Sequence, residues 1–164
     1  RVVEVNLLAL MDLTQRASAH MTARGSGQIV EVSSVLGFFG MPYSAAYVAT
    51  KHAVNGLVRS LRLELKGTGV RVWAACPGRT RSEFSGVALG GDDPSESPRG
   101  EPTERVVRGI VRGLDGRRAF VMPTFLAAAT VALATWLPGP FGWALARYAG
   151  PRFRDEIERG RGTG

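Results

Sequence analysis

The chain has 164 residues, 45% of them hydrophobic and 21% charged, a balance that suits one folded domain and argues against disorder of the whole. Its net charge of +7 invites a nucleic-acid partner. The arginines are scattered, however, and no helix pattern carries a basic face interleaved with aromatics, so nucleic acid is set aside and small anionic ligands or a membrane surface are kept. Cys76 is the one cysteine, which permits no internal disulfide and fits a reducing cytoplasm. Its place before Pro77 at a strand end reads as a buried, inert thiol, and no metal-ligand motif is found.

From Val2 to about Ala23 the pattern is helical, with Val5, Leu8, Met11 and Leu13 among the apolar positions and Gly25 as the stop. Gln28 to Val32 reads as a short apolar strand. Ser33-Ser34 ends it, and Gly37 and Gly40 mark a loop into the next helix. That helix carries Tyr47 and Lys51, followed by Val54, Leu57, Val58, Leu61 and Leu65 as a packing stripe. Ala45, Ala46, Ala49 and Ala53 permit close approach of another backbone, and His52 points away to the surface. Val70 to Ala75 is a second strand, closed by Cys76-Pro77-Gly78.

From Phe84 to about Pro102 the composition turns to Gly, Ser, Pro and Asp, and a mobile stretch is expected. Thr103 reads as an N-cap with Val106, Val107, Ile110 and Val111 behind it, and Ala119 to Pro123 as a third strand. No charge falls between Ala119 and Ala146. The apolar run from Phe125 to Leu137 is stopped by Pro138-Gly139-Pro140 before it reaches the roughly 20 residues of a membrane span. Trp136, Phe141, Trp143 and Arg147 would suit a bilayer interface or a partner. A helix over the substrate site or a subunit contact ranks ahead of membrane association, and a true span ranks last. After Gly150 a charged tail, 151–164, reads as a short helix and a disordered end.

Tyr47 and Lys51 are one helical turn apart and share a helix face. An ammonium near a phenol favours phenolate, so Lys51 is expected to pull Tyr47 below the ordinary value of about 10, into a range useful for moving protons. Ser34 stands thirteen positions ahead of the tyrosine.

The order Asn6, Ser34, Tyr47-x-x-x-Lys51, Pro77-Gly78 resembles the short-chain dehydrogenase/reductase family from Asn6 to about Ser82, and more loosely to the end. The resemblance implies an α/β fold, the carboxyl-side part of a Rossmann-like doubly wound parallel sheet with about three strands and flanking helices. It divides the chain into a catalytic part over 1–123, including a substrate lid at 84–102, an apolar helical segment over 124–150, and the tail. It implies NAD or NADP as cofactor and an alcohol or carbonyl as substrate. Tyr47 is then the proton donor or acceptor, Lys51 also bonds the nicotinamide ribose, Ser34 holds the substrate oxygen, and Asn6 anchors a relay water. Pro77, Gly78, Thr80 and Ser82 correspond to the segment that binds the nicotinamide carboxamide. Ser82 replaces the usual threonine and keeps its hydroxyl, whereas Arg79 and Arg81 are less usual there.

The family's Gly-rich turn after its first strand is not found in these residues, so the chain is expected to bind cofactor poorly and be inactive by itself, with an unpaired edge on its first strand. A homodimer or homotetramer through the two long helices is implied. Two alternatives stay open: a sugar-nucleotide epimerase or dehydratase, and a non-catalytic dinucleotide-binding relative. The apolar tail suits lipophilic alcohols such as steroids or retinoids. The expected location is the cytoplasm, with membrane association through 124–147 left open.

Overall fold

The computed structural model describes residues 1–81 and 100–149. Ser82, most of the expected lid and the charged tail lie outside the described residues.

The chain opens with a π-helical turn, Glu4–Leu8, that runs without a break into α1, Ala9–Arg24. Gly25 ends it with φ 74, a left-handed conformation that costs an L side chain energy, and its N–H bonds Met21 O and Thr22 O. Strand β1, Gly27–Val32, starts one residue before the expected strand. A short 3-10 turn, Val35–Gly37, leads towards α2, Ala45–Glu64, the longest helix described. Strand β2 is Val70–Ala75, the bounds read from the sequence.

Helix α3, Thr103–Gly113, corrects one expectation. Its N-cap is Pro102, and Thr103 is already helical, its hydroxyl donating to Arg81 O at 2.6 Å rather than capping the helix. Strand β3 is the two residues Phe120–Val121, shorter than the five expected; they pair with Ala74 and Ala75 of β2, and the Ala74 and Cys76 amides donate to Ala119 O and Val121 O. Helix α4 covers Phe125–Trp136 and is capped by Thr124, whose hydroxyl accepts from Ala127 N. Helix α5, Pro138–Ala144, then turns away through 116°. Among the described residues no single helix is long and apolar enough to cross a membrane.

The three strands form one parallel sheet in the order β1-β2-β3. Parallel neighbours need crossover connections, which α2 and α3 supply. Side chains alternate across the strands. Ile29, Val70, Val72, Ala74 and Cys76 meet Val58, Leu61 and Leu65 of α2 and Ala17 and Met21 of α1. Trp73 points the other way, onto Gly113 of α3, where an added methyl would meet its ring. The sheet is therefore covered by helices on both faces, the doubly wound α/β arrangement the resemblance implies.

The arginines that make the chain basic partly serve the fold. Arg62 donates to Val72 O at 2.7 Å and to Arg117 O at 3.2 Å, and Arg71 donates to Gly116 O and Leu114 O, so both pin the loop after α3 to the sheet.

Candidate active site

In open parallel sheets, ligand chemistry gathers beyond the carboxyl ends of the strands. Here β1 ends in Ser33-Ser34 and β2 in Cys76-Pro77-Gly78. The backbone ties these ends together, with Ser33 N donating to Ala75 O at 2.8 Å and Val35 N to Pro77 O at 3.0 Å.

The two serines part company at this point. Ser33 faces inward, and its hydroxyl donates to Asn55 Oδ1 at 2.7 Å, while Asn55 Nδ2 donates to Gly37 O at 2.9 Å. Asn55 is fully buried and was not singled out in the sequence. Its signal is there in retrospect: a polar residue set among Val54 and Val58 on the buried face, one turn after Lys51. Ser34 caps the 3-10 turn by accepting from Leu36 N at 3.1 Å, and its hydroxyl is also hydrogen-bonded to the Tyr47 phenol.

Lys51 is buried, and its Nζ donates to Val32 O at 2.8 Å while lying 5.5 Å from the centre of the Tyr47 ring. Ser34, Tyr47 and Lys51 are thus brought together at the end of β1. The expected depression of the tyrosine is not what this arrangement produces. Burial pushes the Tyr47 phenol above its ordinary value, opposed by the Ser34 bond, because desolvation penalises phenolate. Burial also lowers the Lys51 pKa, opposed by the charges of Cys76 and Glu31. The Cys76 thiol is pushed up to about 12 by burial, consistent with an inert cysteine.

Asn6 lies in the π-helical turn that packs on α2. Such turns often occur at functional positions. Among the described residues its side chain makes no hydrogen bond, so nothing yet ties it to Lys51. Thr80 forms a bridge with Glu101, and Arg81 N donates to Glu101 O at 2.9 Å, so the loop after Pro77-Gly78 is fastened to the segment entering α3. Gly78 rests against Ala127 of α4. Beside Ser34, Val35 packs with Ala127 and Val131, flanked by Leu36, Phe38, Phe39 and Met122, an apolar wall. His52 is exposed and accounted for by Val48 O, as expected of a surface residue.

Tyr43, four residues before Tyr47, has φ 60, a left-handed conformation uncommon outside glycine. Strain of this kind clusters at functional sites, and no sequence pattern announces it.

The protein-family model described as short chain dehydrogenase matches residues 1–88. A 3alpha-hydroxysteroid dehydrogenase from Mediterraneibacter gnavus is 39% identical over 84 residues, 51% of this chain and 34% of that protein. A 2-dehydro-3-deoxy-D-gluconate 5-dehydrogenase from Bacillus subtilis is 46% identical over 77 residues, 47% of this chain and 30% of that protein. Among solved structures, a short-chain dehydrogenase from Sphingobium yanoikuyae in complex with NADPH superposes with a TM-score of 0.67 at 33% identity, covering 85% of this chain and 54% of the other. The chain thus spans about half the length of that structure, and its alignments about a third of the two relatives.

Proposed function

The chain belongs to the short-chain dehydrogenase family, and from that premise we propose that it carries the proton-transfer half of an NAD- or NADP-dependent oxidoreductase interconverting an alcohol and a carbonyl. The observation that carries this reading is the Ser34 hydroxyl bonded to the Tyr47 phenol with the Lys51 ammonium beside the ring.

The residues present fit the nicotinamide end of such a cofactor. Lys51 and Tyr47 offer a donor and a donor-acceptor for ribose hydroxyls, Pro77, Gly78 and Thr80 line the neighbouring strand end, and Ser82 follows them in sequence. The bound nicotinamide would supply or take the hydride. In the reductive direction Ser34 holds the carbonyl oxygen, and Tyr47 gives its proton to that oxygen as the C=O π pair moves onto it. The phenol's raised pKa keeps it protonated, which suits the donating role. Lys51 stabilises the phenolate left behind, and Asn6 anchors the water that returns a proton.

Lipophilic alcohols are the favoured substrate class, supported by the apolar wall beside Ser34 and by the steroid dehydrogenase among the relatives. Self-association through α1 and α2 is supported by exposed Leu8, Met11, Leu13 and Leu63. Peripheral membrane contact is supported by exposed Phe125, Trp136 and Trp143 in a segment without carboxylates. The cytoplasm remains the proposed location. By itself the chain is expected to be inactive, since the Gly-rich turn is not among its residues.

The test is Tyr47→Phe. Turnover over a panel of alcohols should fall by a factor on the order of 10² to 10⁴, the range of positioned acid-base catalysis. Near-normal turnover would overturn the assignment. Cofactor binding by the unsubstituted protein without turnover of any alcohol would favour the non-catalytic alternative.

A further inference from the structure

Glu31 is the one charged residue in β1, and it is 6% exposed. Buried carboxyls are costly unless neutral or paired. Its side chain leaves the sheet on the face covered by α1 and α2, where Thr14 meets it.

The hydrogen-bond count around Thr14 bears on the protonation state of Glu31. Thr14 Oγ1 lies 2.7 Å from Leu10 O and 2.6 Å from Glu31 Oε1. The hydroxyl has one proton, and a backbone carbonyl can only accept. If Thr14 donates to Leu10 O, the short contact to Glu31 is satisfied when the carboxylic acid donates to Thr14. An ionised Glu31 would instead compete with Leu10 O for the same proton. Burial likewise raises the Glu31 pKa, opposed by the Thr14 bond and by Lys51.

The titratable groups facing this carboxyl are few. Among the described residues, α1 brings the Thr14 hydroxyl and α2 the Lys51 ammonium, while the Cys76 thiol at the end of β2 interacts with Lys51 and stays protonated to about 12. Lys51 donates to Val32 O, the residue next to Glu31 in the strand. Glu31 is therefore the neighbour whose own ionisation can change the field at Lys51.

Resting on the oxidoreductase reading, we propose that Glu31 is a positioning residue: by holding or losing its proton it sets how firmly Lys51 keeps the charge that stabilises the Tyr47 phenolate. The two groups lose their protons as a coupled pair. With Glu31 neutral, Lys51 has no counterion in its pocket and its ammonium is easily discharged. With Glu31 ionised, the lysine holds its proton.

A lysine-specific NMR titration reads this directly, because Lys51 and the exposed Lys66 are the only lysines in the chain. With lysine labelled at 13Cε, Lys66 serves as internal reference. Lys51 should show two inflections, one from Glu31 and one from its own deprotonation. Glu31→Gln should abolish the first and move the second to lower pH, leaving Lys66 unmoved. An unchanged Lys51 curve in a folded Glu31→Gln protein would overturn the proposal. If that variant does not fold, Thr14→Val decides: losing the hydroxyl removes the hydrogen-bond partner of the carboxyl, so the first inflection should move while Lys66 does not, and no movement would overturn the proposal. The measurement needs no turnover, so it stands or falls separately from the Tyr47→Phe assay.

Discussion

Adjacent hydroxyls at the end of β1 have separate duties, and substitution should separate them. Ser33→Ala leaves buried Asn55 Oδ1 without its donor and should destabilise the chain by about 1–3 kcal/mol, read as a lower midpoint in urea. Ser34→Ala removes a cap of a three-residue turn, so it should cost little stability while lowering turnover of the natural protein. Glu31 adds a pH signature. Its folded pKa is raised, so the folded state binds the proton more tightly than the unfolded chain. Stability should then be greatest below the ordinary value of 4.5 as far as this group is concerned, and decline as pH rises from there through the raised folded value. Comparing urea midpoints of wild type and Glu31→Gln across that window checks it: the variant should show the flatter dependence.

At the scale of elements, close helix-sheet approach depends on small residues. Gly109 of α3 lies against Pro123, where an added Cβ would run into its carbonyl and ring, and backbone cannot swing aside as a side chain can. Gly109→Ala should therefore cost about 1–3 kcal/mol through overpacking, measurable as a fall in Tm. Gly56 of α2 has open space around it, so Gly56→Ala should be neutral or stabilise by up to about 1 kcal/mol through helix propensity. Apolar runs, helical spacing and turn residues were enough to find β1, α2 and β2 in the sequence, because local pattern and tertiary packing agree there. Thr103 failed as an N-cap because its hydroxyl found Arg81 O, 22 residues earlier in the chain.

For the whole molecule, α4 and α5 carry large exposed apolar side chains. Phe125 is 89% exposed and Trp136 82%, and Arg105, Arg108 and Arg112 line the same cleft as Phe125 and Leu126. If this face meets a membrane, the chain should sediment with vesicles containing anionic phosphatidylglycerol, and Trp136→Ser with Phe125→Ser should release it. Equal recovery in the supernatant with and without vesicles would rule that contact out. The outer edge of β1 has no strand beside it among the described residues, so the isolated chain should self-associate with rising concentration, as light scattering would read.

Helix and strand periods, the turn glycines and the i, i+4 relation of Tyr47 to Lys51 are local, and the sequence by itself determined them: the parallel α/β frame, the order of its elements and the residues offered for proton transfer. Only the tertiary structure decided what those residues experience. Burial put the phenol above rather than below its ordinary pKa, and packing brought Asn55 against Ser33 and Thr14 against Glu31. Desolvation and contact depend on neighbours distant in the chain, and no residue spacing records them.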